Sequence, residues 1–223
     1  MIIKDLFTLV ILKLKKSFKK RIKLKVIDPQ KQYLDIYWNK EFAEILETWG
    51  EEHVWNEIQL LLINVKGKIL DIACGTGNVI HKLNKYKNLE LYGFDISDLL
   101  IERARKKDIL YERLIVCDAT NTNFPDEAFD FSYSIGSLEH FTNKGIDDFI
   151  SECSRYTKSG SFHMIPVSRS GTDEGWLTTV QSFFNNSEGW WLEKFSKYFP
   201  IVHIVKSSWS DNISNGIWIL CYK

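Results

Sequence analysis

Between residues 68 and 167 the chain alternates two kinds of pattern. Five short apolar runs have the length and the β-branched and aromatic content of buried strands: KILDIA (68–73), LELYGFD (89–95), RLIVCD (113–118), FDFSYSI (129–135) and SFHMIPV (161–167). Between them, apolar residues at three- and four-residue spacing predict helices over 78–84, 99–107 and 146–156. Strand alternating with helix implies a parallel sheet with right-handed crossovers. Upstream, 33–62 reads as helical, with Ile36, Phe42, Ile45, Leu46, Trp49, Val54, Ile58, Leu61 and Leu62 separated by acids, and Gly50 divides it into two helices. Downstream the pattern changes. An aromatic-rich stretch, GWLTTVQSFFNNSEGWWLEKFSKYF, precedes two strand-like runs, IVHIVKSSW and GIWILCYK. The polar loop 210–215 joins them, and together they predict an antiparallel edge to the sheet.

The 223 residues suit one α/β domain, and 44% hydrophobic with 26% charged residues is ordinary for a globule. Four separate cysteines, with no C-x-x-C pair or Cys/His cluster, give no zinc pattern and no metal is expected; Cys74 and Cys117 sit in apolar runs and read as buried thiols, consistent with a reducing cytoplasm. Charge divides the neutral chain sharply. Residues 1–27 carry nine cations against Asp5, a net +8, which leaves −8 for the remainder and argues against a nucleic-acid partner. Ile3, Phe7, Val10, Leu14 and Phe18 share one helical face of this basic segment. Its longest uncharged run, seven residues, is far below the roughly 20 needed to span a bilayer. No small-residue cleavage site follows it. Two readings stand: an amphipathic segment peripheral at an anionic membrane surface, or an arm packed on the body. Pro29 marks its end, so residues 1–28 form a basic N-terminal segment and 29–223 the main domain.

The candidate chemistry sits where strands end. In an open α/β sheet, ligands lie beyond the carboxyl ends of the strands. The first run ends in D-x-A-C-G-T-G, where Gly75 and Gly77 let the backbone approach a ligand. Ile80 stands where a dinucleotide fingerprint would have its third glycine, which disfavours a nicotinamide enzyme. Two glycines alone also fit a turn without a ligand. The second run ends in Asp95, placed to accept ribose hydroxyls, and the third in Asp118, followed by Ala119, placed to meet an adenine amino group. Either acid could instead cap a helix.

Taken together, these stretches resemble the class I S-adenosylmethionine-dependent methyltransferases. ILDIACGTG is similar to that family's first motif, LYGFDIS to its second-strand acid, VCDAT to its adenine motif, and FDFSYSIGSLEHF to its fourth strand and following loop. Ala73 stands where the family often has glycine. The resemblance covers about residues 68–141. It implies a three-layer α/β sandwich with a mostly parallel seven-stranded sheet, last strand antiparallel, plus N-terminal helices. It also implies S-adenosylmethionine as cofactor, with Asp71, Ala73, Gly75 and Gly77 cradling its amino-acid part. Asp95 and Ile96 would hold ribose and cover adenine, and Asp118 and Ala119 would meet the adenine edge. Ser134 and Gly136 would lie near the sulfur, and Tyr37, with Tyr33 and Trp38, would close over the cofactor.

Methyl transfer from a sulfonium is an in-line displacement, and a hydroxyl acceptor needs a base of pKa near 7. His140 is the candidate base and Glu139 its neighbour; either could instead order the loop. His163 lies mid-strand and reads as packed, and His53, His81 and His203 as peripheral. Arg169, Asp173, Glu174, Trp176, Trp190 and Trp191 combine acids with rings and suggest a glycan-like, polyhydroxylated small acceptor, hence O-methylation; aromatic stripes are also common core. The basic N-terminus motivates a second reading, a membrane-resident quinone or lipid intermediate. A third is a cofactor-binding regulator. A nucleic-acid methyltransferase finds no N-P-P-Y-like tetrad after the fourth strand.

Overall fold

The computed structural model describes residues 32–49, 54–107, 111–178 and 181–223. The readings of the basic segment 1–28, of Gly50 as a helix break and of His53 lie outside those residues. Strands β1 (Gly67–Ile72), β2 (Leu89–Asp95), β3 (Leu114–Val116), β4 (Phe129–Ile135), β5 (Thr157–Ser168), β8 (Ile201–Ser210) and β9 (Ser214–Tyr222) form one sheet in the order β3-β2-β1-β4-β5-β9-β8. The pairs from β3 through β5 are parallel, and β9 is antiparallel to both its neighbours. The last strand is thus inserted between β5 and β8, and the sheet edge falls to β8, the earlier of the two predicted strands. The short strands β6 (Trp176–Thr178) and β7 (Ser182–Phe184) pair separately as a hairpin.

Helices α1 (Lys40–Leu46), α2 (Val54–Leu62), α3 (Asn78–Leu83), α4 (Asp98–Arg105), α5 (Asn143–Tyr156) and α6 (Glu188–Ser196) complete the described elements with short 3-10 turns. Polar side chains start most of them: Asn39, Ser97, Thr142 and Ser187 each accept a backbone N–H from the first turn that follows. On α5, Ile146, Phe149, Ile150, Cys153 and Tyr156 make one buried stripe. It packs with Trp191 and Phe195 of α6 against Leu70, Ile72, Ile165 and Ile219 on one face of the sheet. Val54 and Ile58 of α2, Ile80 of α3 and Ile101 of α4 cover the other face with Tyr133 and Trp218. Each large apolar side chain buried in these layers stabilises the fold by roughly 1.5–3 kcal/mol before entropy is counted. The aromatic-rich stretch becomes the β6–β7 hairpin and α6. No described helix is long and apolar enough to cross a membrane.

Candidate active site

The turn after β1 is wound tightly. Ala73, Gly75 and Gly77 all have left-handed φ, at 55°, 55° and 74°. Cys74 N donates to Phe94 O (2.8 Å) and Gly77 N to Cys74 O (2.9 Å). Gly77 starts α3 and shapes the turn without lining the cavity. Gly75 is different: its N–H donates to Asp95 Oδ2 (3.0 Å), and a Cβ there would meet only Leu46 Cδ1, at 3.7 Å. Its backbone therefore faces open space.

Three acids border that space with Ala73, Ile96 and Ala119. Asp71 is 4% exposed and accepts the Tyr133 hydroxyl at 2.8 Å. Burial pushes its pKa well up, against that hydrogen bond, and nearby Asp95 adds to the rise. Asp95 accepts Gly75 N and Ser97 N, yet burial still raises it to about 6. The helix after β2 is capped by Ser97 Oγ, so Asp95 is spared that task. Asp118 caps no helix either; its Oδ1 accepts Thr120 N and Oγ1, both at 2.8 Å, and closes a local turn.

At the end of β4, Ile135, Gly136 and Ser137 line the cavity. Ser134 does not. It is fully buried, and its Oγ pairs with His163 Nδ1 at 2.8 Å, while His163 Nε2 pairs with Ser161 Oγ at 2.8 Å. Alternate residues of a strand face opposite sides, so Ser134 points with Ser132 into this interior network. His163 is accordingly a packed histidine, pushed by burial to about 3.

His140 lines the cavity. Its Nδ1 lies 2.9 Å from Ser182 O; a carbonyl only accepts, so the proton sits on Nδ1 and Nε2 keeps its lone pair. Burial lowers its pKa to about 4, partly opposed by that carbonyl, so the imidazole is a weaker base than the value near 7 expected from the sequence. Nε2 stands 3.6 Å from Glu139 Oε1. Glu139 lies behind the wall, 4% exposed, with Oε2 lacking any partner, and burial raises it to about 8. At neutral pH the pair therefore comprises a carboxylic acid and a neutral imidazole.

The roof differs from expectation. Tyr37 lines the cavity and its hydroxyl accepts from Gln181 Nε2 (2.7 Å), but Tyr33 and Trp38 do not; Trp38 Nε1 donates to Asp98 at the surface. The acids and rings singled out after β5 also stay off the cavity. Arg169 donates to Asp211 O, Asp173 holds Ser187, and Glu174 holds Ser168, Ser170 and Asn185. Trp176 and Trp190 pack on Phe184, and Trp191 is core. The walls are instead Phe42, Leu46, Trp49, Trp55, Ile135 and Phe141, with Gln181 at the rim. Trp49 lies over Gly136 and meets Trp209 at 6.2 Å between centroids. Sequence periodicity marks Phe42, Leu46 and Trp49 only as helical apolar positions; nothing local marks Gln181.

No lysine or arginine lines the cavity among the described residues, whereas Asp71, Asp95 and Asp118 do. A cradle of open backbone at Gly75 with carboxyls at three strand ends fits a cofactor that brings an ammonium, a ribose, an adenine and a sulfonium.

A family profile described as "Methyltransferase domain" matches residues 69–160. Among curated proteins, the ubiquinone/menaquinone biosynthesis C-methyltransferase UbiE of Burkholderia mallei and that of Burkholderia pseudomallei are each 29% identical over 135 residues, 57% of this chain and 54% of theirs. The chain thus matches about half the length of those relatives. Among solved structures, the PH0226 protein of Pyrococcus horikoshii is 23% identical with a TM-score of 0.58, covering 88% of this chain and 97% of that one. An S-adenosylmethionine-dependent methyltransferase from Methanosarcina mazei is 18% identical with a TM-score of 0.61, over 74% and 96%. At such identities the likeness is one of fold.

Proposed function

Because the chain belongs to the class I S-adenosylmethionine-dependent methyltransferase superfamily, we propose that it methylates a small, flat, largely apolar acceptor whose hydroxyl gives its proton to His140. The cofactor, when bound, supplies an electrophilic methyl group. The chain's part is to orient and to move one proton. Gly75 presents its backbone, Asp95 and Asp118 offer carboxyl oxygens to hydroxyl and amino donors, and Asp71 adds a buried carboxyl, held by the Tyr133 hydroxyl, near the turn. Holding two reactants in line accounts for up to roughly 7–11 kcal/mol of such a barrier. His140 Nε2 then accepts the acceptor's proton, while Nδ1 stays bound to Ser182 O. Loss of that proton activates an oxygen, or the ring carbon next to it, so one base serves O- and C-methylation.

The observation that carries this reading is the wall: Phe42, Trp49, Trp55, Ile135 and Phe141 line the same cavity as His140, and among the described residues no cation lines it to meet a phosphate or carboxylate. The name of the UbiE relatives, with its quinone pathway, agrees. A glycan-like acceptor loses its support, because the acids after β5 hold serines and Asn185 while the rings pack on Phe184 or in the core. The test is incubation with methyl-labelled S-adenosylmethionine and an extract split into polar, polysaccharide and organic-soluble fractions. Label is expected in the organic-soluble fraction, absent with Asp95→Ala. His140→Gln should lower the rate by about 10²–10⁴-fold and leave S-adenosylhomocysteine binding intact. Label in polysaccharide would overturn the acceptor class, and full activity of His140→Gln would remove the base.

A further inference from the structure

Three consecutive residues of the β6–β7 hairpin meet the site, each in a different way. Gln181 Nε2 donates to the Tyr37 hydroxyl, 144 residues away in the chain, at 2.7 Å. Ser182 O accepts from His140 Nδ1 at 2.9 Å. The Phe183 ring meets the His140 imidazole edge-on, 6.3 Å between centroids. The hairpin itself is slight, three residues against three, and such a ribbon has little stability of its own. Its position depends on what its side chains grip. Asn185 and Asn186 anchor its base, through Glu174 Oε2 and Gly175 N. At the other end Gln181 grips Tyr37, and Thr178 and Ser182 pair their hydroxyls within the hairpin.

Tyr37 is fixed from the cofactor side. Its carbonyl accepts Ser97 Oγ at 2.7 Å, and Ser97 N is bound to Asp95 Oδ1 at 2.9 Å. Its phenol remains a neutral acceptor for the amide, since burial and the charges of Asp95 and Glu139 all raise its pKa. A connected path therefore runs from Asp95 through Ser97 and Tyr37 to Gln181. The next peptide along carries the carbonyl that selects the His140 tautomer. Free histidine favours the proton on Nε2; an acceptor seated at Nδ1 reverses that and leaves the Nε2 lone pair available.

We propose that Gln181 is a positioning residue that couples the two halves of the site: by holding Tyr37 it seats the Ser182 carbonyl on His140, so the base is armed only while the cofactor side is closed. This rests on the reading of His140 as base and of the cavity as the S-adenosylmethionine site. Gln181 itself touches no reacting atom.

The test uses the full chain with ¹⁵N-labelled histidine, in which ring nitrogen shifts report the tautomer, and S-adenosylhomocysteine as the probe. His140→Gln assigns the signal, and the buried His163 signal reports an intact fold. In the wild type, His140 should read as the Nδ1–H form. Gln181→Ala and Tyr37→Phe should each shift it towards Nε2–H and speed S-adenosylhomocysteine release by about five- to tenfold, the loss of one hydrogen bond. The double variant should be no worse than Gln181→Ala alone, because Tyr37→Phe removes a contact that variant already lacks. Faster release with His140 still wholly Nδ1–H would overturn the coupling and leave Gln181 a mere rim residue. A wild type that does not bind S-adenosylhomocysteine would overturn the cofactor reading instead, and the tautomer comparison would still judge the coupling.

Discussion

Glu139 carries a carboxyl with one oxygen wholly unpartnered and the other 3.6 Å from an imidazole, in a place water does not reach. A carboxylate there would lack its hydration and gain nothing, so the acid stays protonated up to about pH 8 instead of 4.5. Between those values the folded chain keeps a proton that the unfolded chain has released. Stability is therefore full below pH 4.5 and falls as pH rises through 8. Glu139→Gln keeps the shape and removes the titration. In urea unfolding it should match the wild type at pH 4.5 and exceed it at pH 9 by on the order of a few kcal/mol; equal stability at both pH values would refute the neutral acid. The strand-end acids were legible in the sequence because a strand's last residue sits at the ligand edge whatever surrounds it. Ser134 was misplaced by one position, since at period two a single step turns a side chain from cavity to interior.

The first βα unit works because two elements approach unusually closely. Gly93 on β2 lies under α3, where a Cβ would come to 2.4 Å from Ile80 Cδ1 and 3.1 Å from Cys74 Sγ. Overpacking of that kind costs about 1–3 kcal/mol. Gly93→Ala should therefore lower stability by that amount and also weaken S-adenosylhomocysteine binding, because the displaced helix starts at Gly77 and carries the turn with Gly75. An unchanged affinity would show that the turn is held independently of α3. The strands and crossover helices were legible from period and length. The hairpin was not: β6 and β7 have three residues each, too few for alternation to register, and their aromatic side chains carry no mark of which neighbour they will meet. Aromatics with acids after β5 read as an acceptor site, yet the acids bind serines and Asn185 and the rings pack on Phe184 or in the core.

At the scale of the whole molecule, charge is segregated by sequence alone: +8 in residues 1–27 and −8 in the rest. An acidic body is repelled by an anionic bilayer, so on the membrane-surface reading, as against an arm packed on the body, any attraction comes from the basic segment. The full chain should co-sediment with phosphatidylserine-containing vesicles at low salt and be released at 1 M salt, where the Debye length is about 3 Å. Residues 28–223 should stay in solution; retention of binding by that fragment would place the contact on the body. The sequence by itself determined the order of strands and helices, the strand-end acids, the glycine turn and this division of charge. All of these are local: they depend on period, on backbone freedom at one residue, or on composition. Only the tertiary structure decided the insertion of β9 inside β8, the aromatic walls at Trp49 and Trp55, and the meeting of Gln181 with Tyr37. Those depend on pairings between residues far apart in the chain, which close-packing selects and no local pattern encodes.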